Sequence, residues 1–212
     1  MRLRFGHLLV AGLFLCCSAL TPEECQRSVT PLSLADPQMM LGRWNFLVGY
    51  TDHEVFNEIL KITDSSWLTI SASPFSTTEL VMSEENKIGG KCFGAMVNVT
   101  IDGNTAITSL ANVTSVSRLL PSCDGCLVFS INSTARNIEK FLNFMNVSCA
   151  VTEDSFTVQS LYLMGRESAV KDSDLEHFKQ QASCLGFSRE PDFLYDPEKG
   201  FCVSGEGPRM VA

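Results

Sequence analysis

The stretch that decides the fold is Gly42-Arg43-Trp44-Asn45-Phe46-Leu47-Val48-Gly49-Tyr50. Gly42 permits a sharp turn, because glycine has no Cβ to restrict its backbone. After the turn, Phe46, Val48 and Tyr50 fall on one face at the two-residue period of a β-strand. Taken alone, Gly-x-Trp indicates only that a tryptophan begins a strand. The rest of the chain decides whether this strand begins a barrel.

Residues 1–19 have the pattern of a secretory signal peptide. Arg2 and Arg4 precede an apolar run, and Cys17-Ser18-Ala19 resembles a small-residue cleavage site. The apolar run is too short to span a bilayer, and no other stretch is long enough. We therefore expect cleavage after Ala19 and a secreted domain covering residues 20–212, with no transmembrane segment.

The charge of this domain excludes one class of partner. The whole sequence has a formal charge of −8, and loss of Arg2 and Arg4 with the leader lowers it to −10. An acidic protein is repelled by phosphate backbones, so nucleic acid is not an expected partner.

Four Asn-x-Ser/Thr sequons lie in the predicted domain. In a secreted chain an exposed sequon accepts an N-linked glycan. A glycosylated strand residue must point outward, so each sequon also indicates which face of its strand is buried. The predicted glycosylation sites are Asn98, Asn112, Asn132 and Asn146.

Strand signals dominate the middle of the chain. Segments rich in Val, Ile, Thr and Phe alternate with turns such as Asp102-Gly103-Asn104. Together with the Trp44 strand they predict eight antiparallel strands, in a barrel or a sandwich, and a barrel of that size can hold one small ligand. The seven further segments are 66–73, 77–84, 92–101, 105–113, 126–132, 141–151 and 156–164.

One longer helix follows the strands. Ser173-Asp174-Leu175-Glu176 matches a capping box. Apolar residues at helical spacing predict that the helix 173–185 packs one face on the barrel wall. A short extended segment is expected at 192–195. Neither His53 nor His177 has metal-ligand spacing with another residue, so we predict no metal site and no cofactor.

The cysteines indicate disulfide bonds. After removal of the leader seven remain, which allows three disulfides and one thiol, or an intermolecular bond. Cys123-Asp124-Gly125-Cys126 has redox spacing but lies in a strand-rich region without the βαβ pattern of thioredoxin-like folds. Zinc would need a second cysteine pair. The seven are Cys25, Cys92, Cys123, Cys126, Cys149, Cys184 and Cys202.

As a whole the sequence resembles the lipocalins. The features that carry this resemblance are the leader, Gly42-x-Trp44, eight strands, Leu163-Met164-Gly165-Arg166 at the last strand, and a final helix and tail. It implies an all-β, eight-stranded antiparallel up-and-down barrel with one C-terminal helix on its wall. It also implies that Arg166 stacks on Trp44 at the closed end. The family's middle Thr-Asp-Tyr motif is not recognisable here, which marks an outlying member.

The cysteine positions resemble those of α1-acid glycoprotein and apolipoprotein M. That likeness implies Cys25–Cys184 and Cys92–Cys202, and leaves Cys149 to pair with Cys123 or Cys126. If Asn132 and Asn146 both face outward on paired strands, the parity of opposed residues favours Cys123 with Cys149 and a free Cys126, unless a bulge intervenes. Length, acidity and sequon density resemble the fish tributyltin-binding and saxitoxin/tetrodotoxin-binding proteins.

The sequons also predict which residues line the barrel interior. The inward sets are apolar with small residues among them, which favours a cavity over a solidly packed core, the alternative. They are Phe93, Ala95, Val97 and Val99; Ile107, Ser109, Ala111 and Val113; Leu127, Phe129 and Ile131; and Met145 and Val147.

The resemblance to α1-acid glycoprotein suggests the polar anchors. It places Ser160 and Tyr162 among the ligand contacts, and Glu84 matches a pocket carboxylate, although a solvated surface charge is the alternative for Glu84. The arginine used by that protein has no counterpart at 105–113, so we expect neutral or cationic amphiphiles. The predicted ligand-binding residues are Phe46, Phe56, Glu84, Phe93, Phe129, Met145, Ser160 and Tyr162.

The function implied is a secreted, plasma-type carrier of a small hydrophobic or amphiphilic ligand or toxin. Two alternatives are interaction proteins: a lysolipid carrier associated with a lipoprotein, and an acute-phase immunomodulator that acts on a cell-surface receptor. The enzymatic alternative, of the prostaglandin D synthase type, needs an unpaired cysteine inside the barrel. Cys126 precedes a strand and is better suited to a loop, so we expect no enzyme.

Overall fold

The computed structural model describes residues 20–212 except 75, 77, 78, 150 and 152. The predicted signal peptide, 1–19, lies outside the described residues. Within the described part of the chain, no helix has both the length and the apolar character needed to cross a membrane.

The body of the protein is a closed antiparallel barrel. Each strand from β1 to β8 pairs with the next one in the sequence, and β8 pairs with β1 to close the sheet. This confirms the predicted eight-stranded up-and-down barrel. The strands are β1 (Gly42–Thr51), β2 (Thr63–Ala72), β3 (Glu79–Ile88), β4 (Lys91–Asp102), β5 (Thr105–Leu110), β6 (Val113–Leu120), β7 (Cys126–Arg136) and β8 (Ser155–Gly165).

Two of the predicted strands were wrong. The segment 105–113 is divided between β5 and β6, because Ala111 and Asn112 turn the chain with positive φ angles of 49° and 66°. The segment 141–151 is not a strand: its first part belongs to a helix, Glu139–Phe144. A short run of buried apolar residues fits a helix as well as a strand, so periodicity alone could not separate them.

The helices lie at the ends and on the outside of the barrel. They are α1 (Pro22–Ser28), α2 (Glu54–Ile62), α3 (Glu139–Phe144) and α4 (Asp172–Cys184). Phe178 and Ala182 of α4 pack on Val48 and Leu161 of the barrel wall, as expected. The predicted capping box at Ser173 was wrong, because α4 begins one residue earlier and Lys171 is its N-cap residue.

Two short strands complete the sheet. The strand β9 (Phe193–Leu194) pairs with β1 inside the predicted extended segment 192–195, and β10 (Arg209–Val211) runs parallel to β4. Disulfides join Cys25 to Cys184 and Cys92 to Cys202, as the resemblance implied.

The predicted Cys123–Cys149 bond was wrong. The turn before β7, with Gly125 at a φ of 72°, brings the Cα atoms of Cys123 and Cys126 to 5.1 Å, and these two cysteines are bonded. Cys149 is left as the free thiol among the described residues. The parity argument failed because Cys149 does not lie on a strand.

All four sequon asparagines are exposed. Asn98 and Asn132 lie on the outer faces of β4 and β7, whereas Asn112 and Asn146 occupy turns with positive φ. The four side chains are therefore accessible to modification, and their glycosylation stays a prediction.

Candidate functional site

The barrel encloses a cavity with a volume of about 320 Å³. Side chains from all eight strands of the barrel line it, and α2, α3 and the residue after α3 contribute to its wall. The volume is at the lower end of the range for small-molecule sites. The described interior is therefore not the solidly packed core that was the alternative.

All eight residues predicted to bind a ligand border this cavity. Inward positions on the strands supply six of them, because side chains on a strand alternate between the two faces. The helix α2 supplies Phe56, and Met145 follows α3. The set is Phe46, Phe56, Glu84, Phe93, Phe129, Met145, Ser160 and Tyr162.

The inward face of β5 was predicted incorrectly. Val99 faces the cavity, and its partner on β5 is Thr108, so even-numbered residues of β5 face inward. Ile107 and Ser109 therefore do not line the cavity, and Ala111 lies in the turn. The error arose because Asn112 is in a turn and does not report which face of β5 is outward.

The other inward sets lie where the sequence placed them, with two exceptions in detail. Phe93, Ala95, Val97 and Val99 all border the cavity. Leu127 belongs to the core cluster beneath it. Val113 lines the cavity from β6. Val147 is buried beside α3 and does not border the cavity.

Glu84 lies on β3 in a row with Leu68 and Ala95, and its carboxyl group borders the cavity. Burial raises the pKa of this carboxyl group, and a hydrogen bond from the Asn86 side chain offsets part of the rise. The described side chains that line the cavity include no lysine or arginine. Glu84 is partly exposed, but it lies on the inner face of β3, whereas a surface charge would lie on the outer face.

Tyr162 is another of the predicted polar anchors, and it lines the cavity. Its ring lies 4.8 Å from that of Phe46, and Phe46 in turn stacks on Phe193 at 4.4 Å. Burial raises the pKa of the Tyr162 hydroxyl to about 12, and the Glu84 carboxylate adds to the rise. The hydroxyl is therefore neutral at physiological pH and can donate a hydrogen bond.

One wall of the cavity carries hydroxyl groups that the sequence analysis missed. Thr108, Ser115 and Ser133 occupy one row across β5, β6 and β7, and the Oγ atoms of Ser115 and Ser133 are 2.8 Å apart. Ser117 belongs to the same wall. Serines at alternate positions of β6 could have indicated it, but β6 itself was not recognised.

The helix α2 lies across the mouth of the barrel. Its apolar face brings Phe56, Ile59 and Leu60 to the cavity. His53 caps the helix, because its Nδ1 accepts a hydrogen bond of 3.3 Å from the Val55 N–H. The His53 ring also stacks on Phe156 at 3.9 Å. His53, for which the sequence predicted no metal-binding role, thus holds the mouth helix.

The opposite end is closed around Trp44. The Arg166 Cζ atom lies 3.5 Å from the centroid of the Trp44 ring, and the guanidinium donates hydrogen bonds to the carbonyl oxygens of Arg43 and Leu41. Gly42 has a φ of 97°, and a Cβ atom there would lie 2.7 Å from the Arg166 Nη1 atom. A side chain at position 42 would therefore disturb this closure.

Comparison with known proteins gives one curated relative and a set of solved structures. No protein-family model matches the chain. The saxitoxin and tetrodotoxin-binding protein 1 of Takifugu pardalis is 20% identical in an alignment of 201 positions that covers 92% of this chain. The match covers 48% of that protein, so the chain spans about half the length of its relative.

The solved structures are lipocalins of low sequence identity. The siderocalin Q83 matches with a TM-score of 0.57 at 14% identity, covering 81% of this chain and 98% of its own. The siderocalin Ex-FABP gives 0.55 at 13% identity, with 82% and 98% covered. The odorant-binding protein OBP1 gives 0.51 at 12% identity, with 74% and 88% covered. The closed barrel, its cavity and the helix on its wall are therefore the lipocalin fold.

Proposed function

We propose that the protein is a secreted carrier that holds a small hydrophobic or amphiphilic molecule, neutral or cationic, in the barrel cavity. The observation that carries the proposal is a cavity of about 320 Å³ with one carboxyl group, Glu84, and no basic side chain among the described residues that line it. Secretion is supported by the predicted leader, the disulfides and the exposed sequons.

The charge of the cavity decides which ligand is favoured. A carboxylate without a partner in a desolvated site is costly, and a bound cation offsets that cost. A neutral amphiphile allows Glu84 to stay protonated, whereas an anion would place two like charges together. We therefore rank cationic ligands first, neutral ones second and anionic ones last.

The similarity to the relative suggests a further class of ligand. Its name states that it binds saxitoxin and tetrodotoxin. We include toxins among the candidate ligands of this chain. The lysolipid carrier on a lipoprotein ranks lower, because an anionic headgroup would face Glu84.

Enzymatic activity of the prostaglandin D synthase type is not part of the proposal. Among the described residues no cysteine lines the cavity, and Cys149 packs instead beside α3. Cys126, the candidate considered from the sequence, is in a disulfide. The cavity wall thus offers binding groups and no thiol nucleophile.

The test uses ligands that share a ten-carbon chain and differ in the charge of the head group. Decylamine, decanol and decanoate would each displace the fluorescent probe N-phenyl-1-naphthylamine from the purified protein. The amine should bind about tenfold more tightly than the alcohol, the size expected for one partly desolvated charge pair. Glu84→Gln should remove the advantage of the amine, whereas Glu198→Gln, a change at an exposed site, should leave the ranking unchanged.

Two results would contradict the proposal. A saturable response to none of the ligands or the probe would show that the cavity is not a carrier site. An amine preference that survives in Glu84→Gln would remove the assigned role of this carboxyl group.

A further inference from the structure

The barrel wall is incomplete near its mouth, between β4 and β5. These strands pair only where Val99–Asp102 of β4 meets Thr105–Thr108 of β5. The strand β5 ends at Leu110, where the chain turns into β6, while β4 extends back to Lys91. The edge of β4 from Lys91 to Asn98 therefore has no partner from β5.

The strand β10 fills this gap. It runs parallel to β4, with Arg209, Met210 and Val211 beside Gly94, Ala95 and Met96. Backbone hydrogen bonds also hold the residues before and after β10. Gly94 N–H donates to the Pro208 carbonyl at 2.9 Å, and Ala212 N–H donates to the Met96 carbonyl at 3.1 Å.

The pairing determines which side chain of β10 reaches the cavity. Paired residues on neighbouring strands point to the same face of a sheet. Because Ala95 faces the cavity, Met210 does so too, and both border it. Val211 points outward with Met96, and 65% of its surface is exposed.

Several features hold β10 in this place. The Arg209 guanidinium donates to Ser83 Oγ at 2.8 Å and forms an ion pair with the Glu85 carboxylate, which is 1% exposed. Gly94 leaves the room that this guanidinium occupies, because a Cβ atom there would lie 2.9 Å from the Arg209 Cζ atom. The Cys92–Cys202 disulfide fixes the start of the tail beside β4.

We propose that β10 is a wall of the ligand site and that Met210 is a ligand-contacting residue that limits the length of the ligand. The inference rests on the proposed carrier function and extends it to a residue of the C-terminal tail. Methionine suits this role, because its flexible thioether adapts to ligands of different shape. Met210 adjoins the small Ala95, so the size of its own side chain determines the space left at this point.

The first experiment measures how affinity depends on ligand length. Octanol, decanol, dodecanol and tetradecanol would displace N-phenyl-1-naphthylamine from the full chain and its variants. Met210→Trp should weaken tetradecanol about tenfold and octanol much less, because added volume in a packed wall excludes the longer chain first. Met210→Ala should shift the preference towards longer alcohols. Val211→Trp, the adjacent outward-facing control, should behave as the unchanged protein.

Equal affinities of the Met210→Trp and Val211→Trp variants for every alcohol would overturn the proposal. A second measurement separates this failure from a failure of the carrier function. In the ligand-free protein labelled at its methionine and alanine methyl groups, a nuclear Overhauser effect should join the Met210 and Ala95 methyls. Its absence would overturn the position of β10 even if ligands bind. Its presence with no alcohol binding would overturn the carrier function on which the inference depends.

Discussion

Glu84 gives the cavity its carboxyl group through its position within a single strand. Its neighbour Glu85 points to the outer face, where Arg209 pairs with it, so adjacent carboxylates have different roles. The alternation of side chains along β3 is the physical reason. The sequence Ser83-Glu84-Glu85-Asn86 by itself does not reveal which carboxylate is inside.

The raised pKa of Glu84 predicts a dependence of stability on pH. The folded state holds the proton more tightly than the unfolded state, so the stabilisation is complete below the ordinary value of 4.5 and is lost as pH rises through the folded-state pKa. Glu84→Gln should therefore have a higher free energy of unfolding than the unchanged protein at neutral pH, and this difference should vanish below about pH 4.5.

Urea unfolding followed by tryptophan fluorescence measures this difference at several pH values. Glu198→Gln serves as the exposed control and should track the unchanged protein throughout. A Glu84→Gln variant that is less stable than the unchanged protein at neutral pH would contradict the assigned burial of an unpaired carboxylate.

At the scale of single elements, α2 is held by side-chain hydrogen bonds of His53 and Asn57. The four first N–H groups of a helix have no partner within it, and His53 satisfies one of them. Further along, the Asn57 side chain donates to Asp192 of the segment that leads into β9. The stacking of His53 on Phe156 and the bond from Asn57 to Asp192 attach the mouth helix to the rest of the barrel.

His53→Ala should loosen α2. Loss of an N-cap hydrogen bond costs about 1 kcal/mol, which corresponds to about a fivefold loss of hydrogen-exchange protection at the Val55 amide. His53→Asn keeps an acceptor at the N-cap and should retain most of the protection. The matched control His177→Ala removes an exposed histidine of α4 and should change nothing in α2. Unchanged protection in His53→Ala would contradict the cap.

The whole molecule is held by disulfides that close loops of very different length. Cys25–Cys184 and Cys92–Cys202 span 159 and 110 residues, whereas Cys123–Cys126 spans 3. Entropy of the unfolded chain makes a bond across a long loop more stabilising, although only with the logarithm of its length. The two long bonds also attach α1 to α4 and the C-terminal tail to β4.

Replacing each pair by serines should give a clear ranking. Loss of either long bond should lower the free energy of unfolding by about 5 kcal/mol, and loss of the short one by about 2 kcal/mol. Cys149→Ser should cost less than about 1 kcal/mol, because it breaks no bond. Urea denaturation measures these values, and a short bond as costly as the long ones would contradict the loop-entropy account.

The sequence by itself determined the barrel, its closed end at Trp44 and most of the residues that line the cavity. The two-residue period of β1, β4, β7 and β8 is local, since it follows from the alternation of side chains along one strand. For this reason the sequons correctly predicted that Phe93 and Phe129 face the interior, whereas Ser160 and Tyr162 were predicted to line it from the resemblance to α1-acid glycoprotein. The Trp44 and Arg166 motifs indicated the closed end before their contact was known.

Only the tertiary structure decided the remaining features. The residues 141–144 became part of a helix and 145–149 a loop, because the apolar residues here pack beside α2 and β8 at positions that no local period reports. Cys123 paired with Cys126 because the turn at Gly125 brings them together. Met210 lines the cavity only because β10 pairs with the edge of β4, where its partner Ala95 lies more than 110 residues earlier in the chain. Pairings of this kind depend on which distant segments meet, and that is settled by packing of the whole chain.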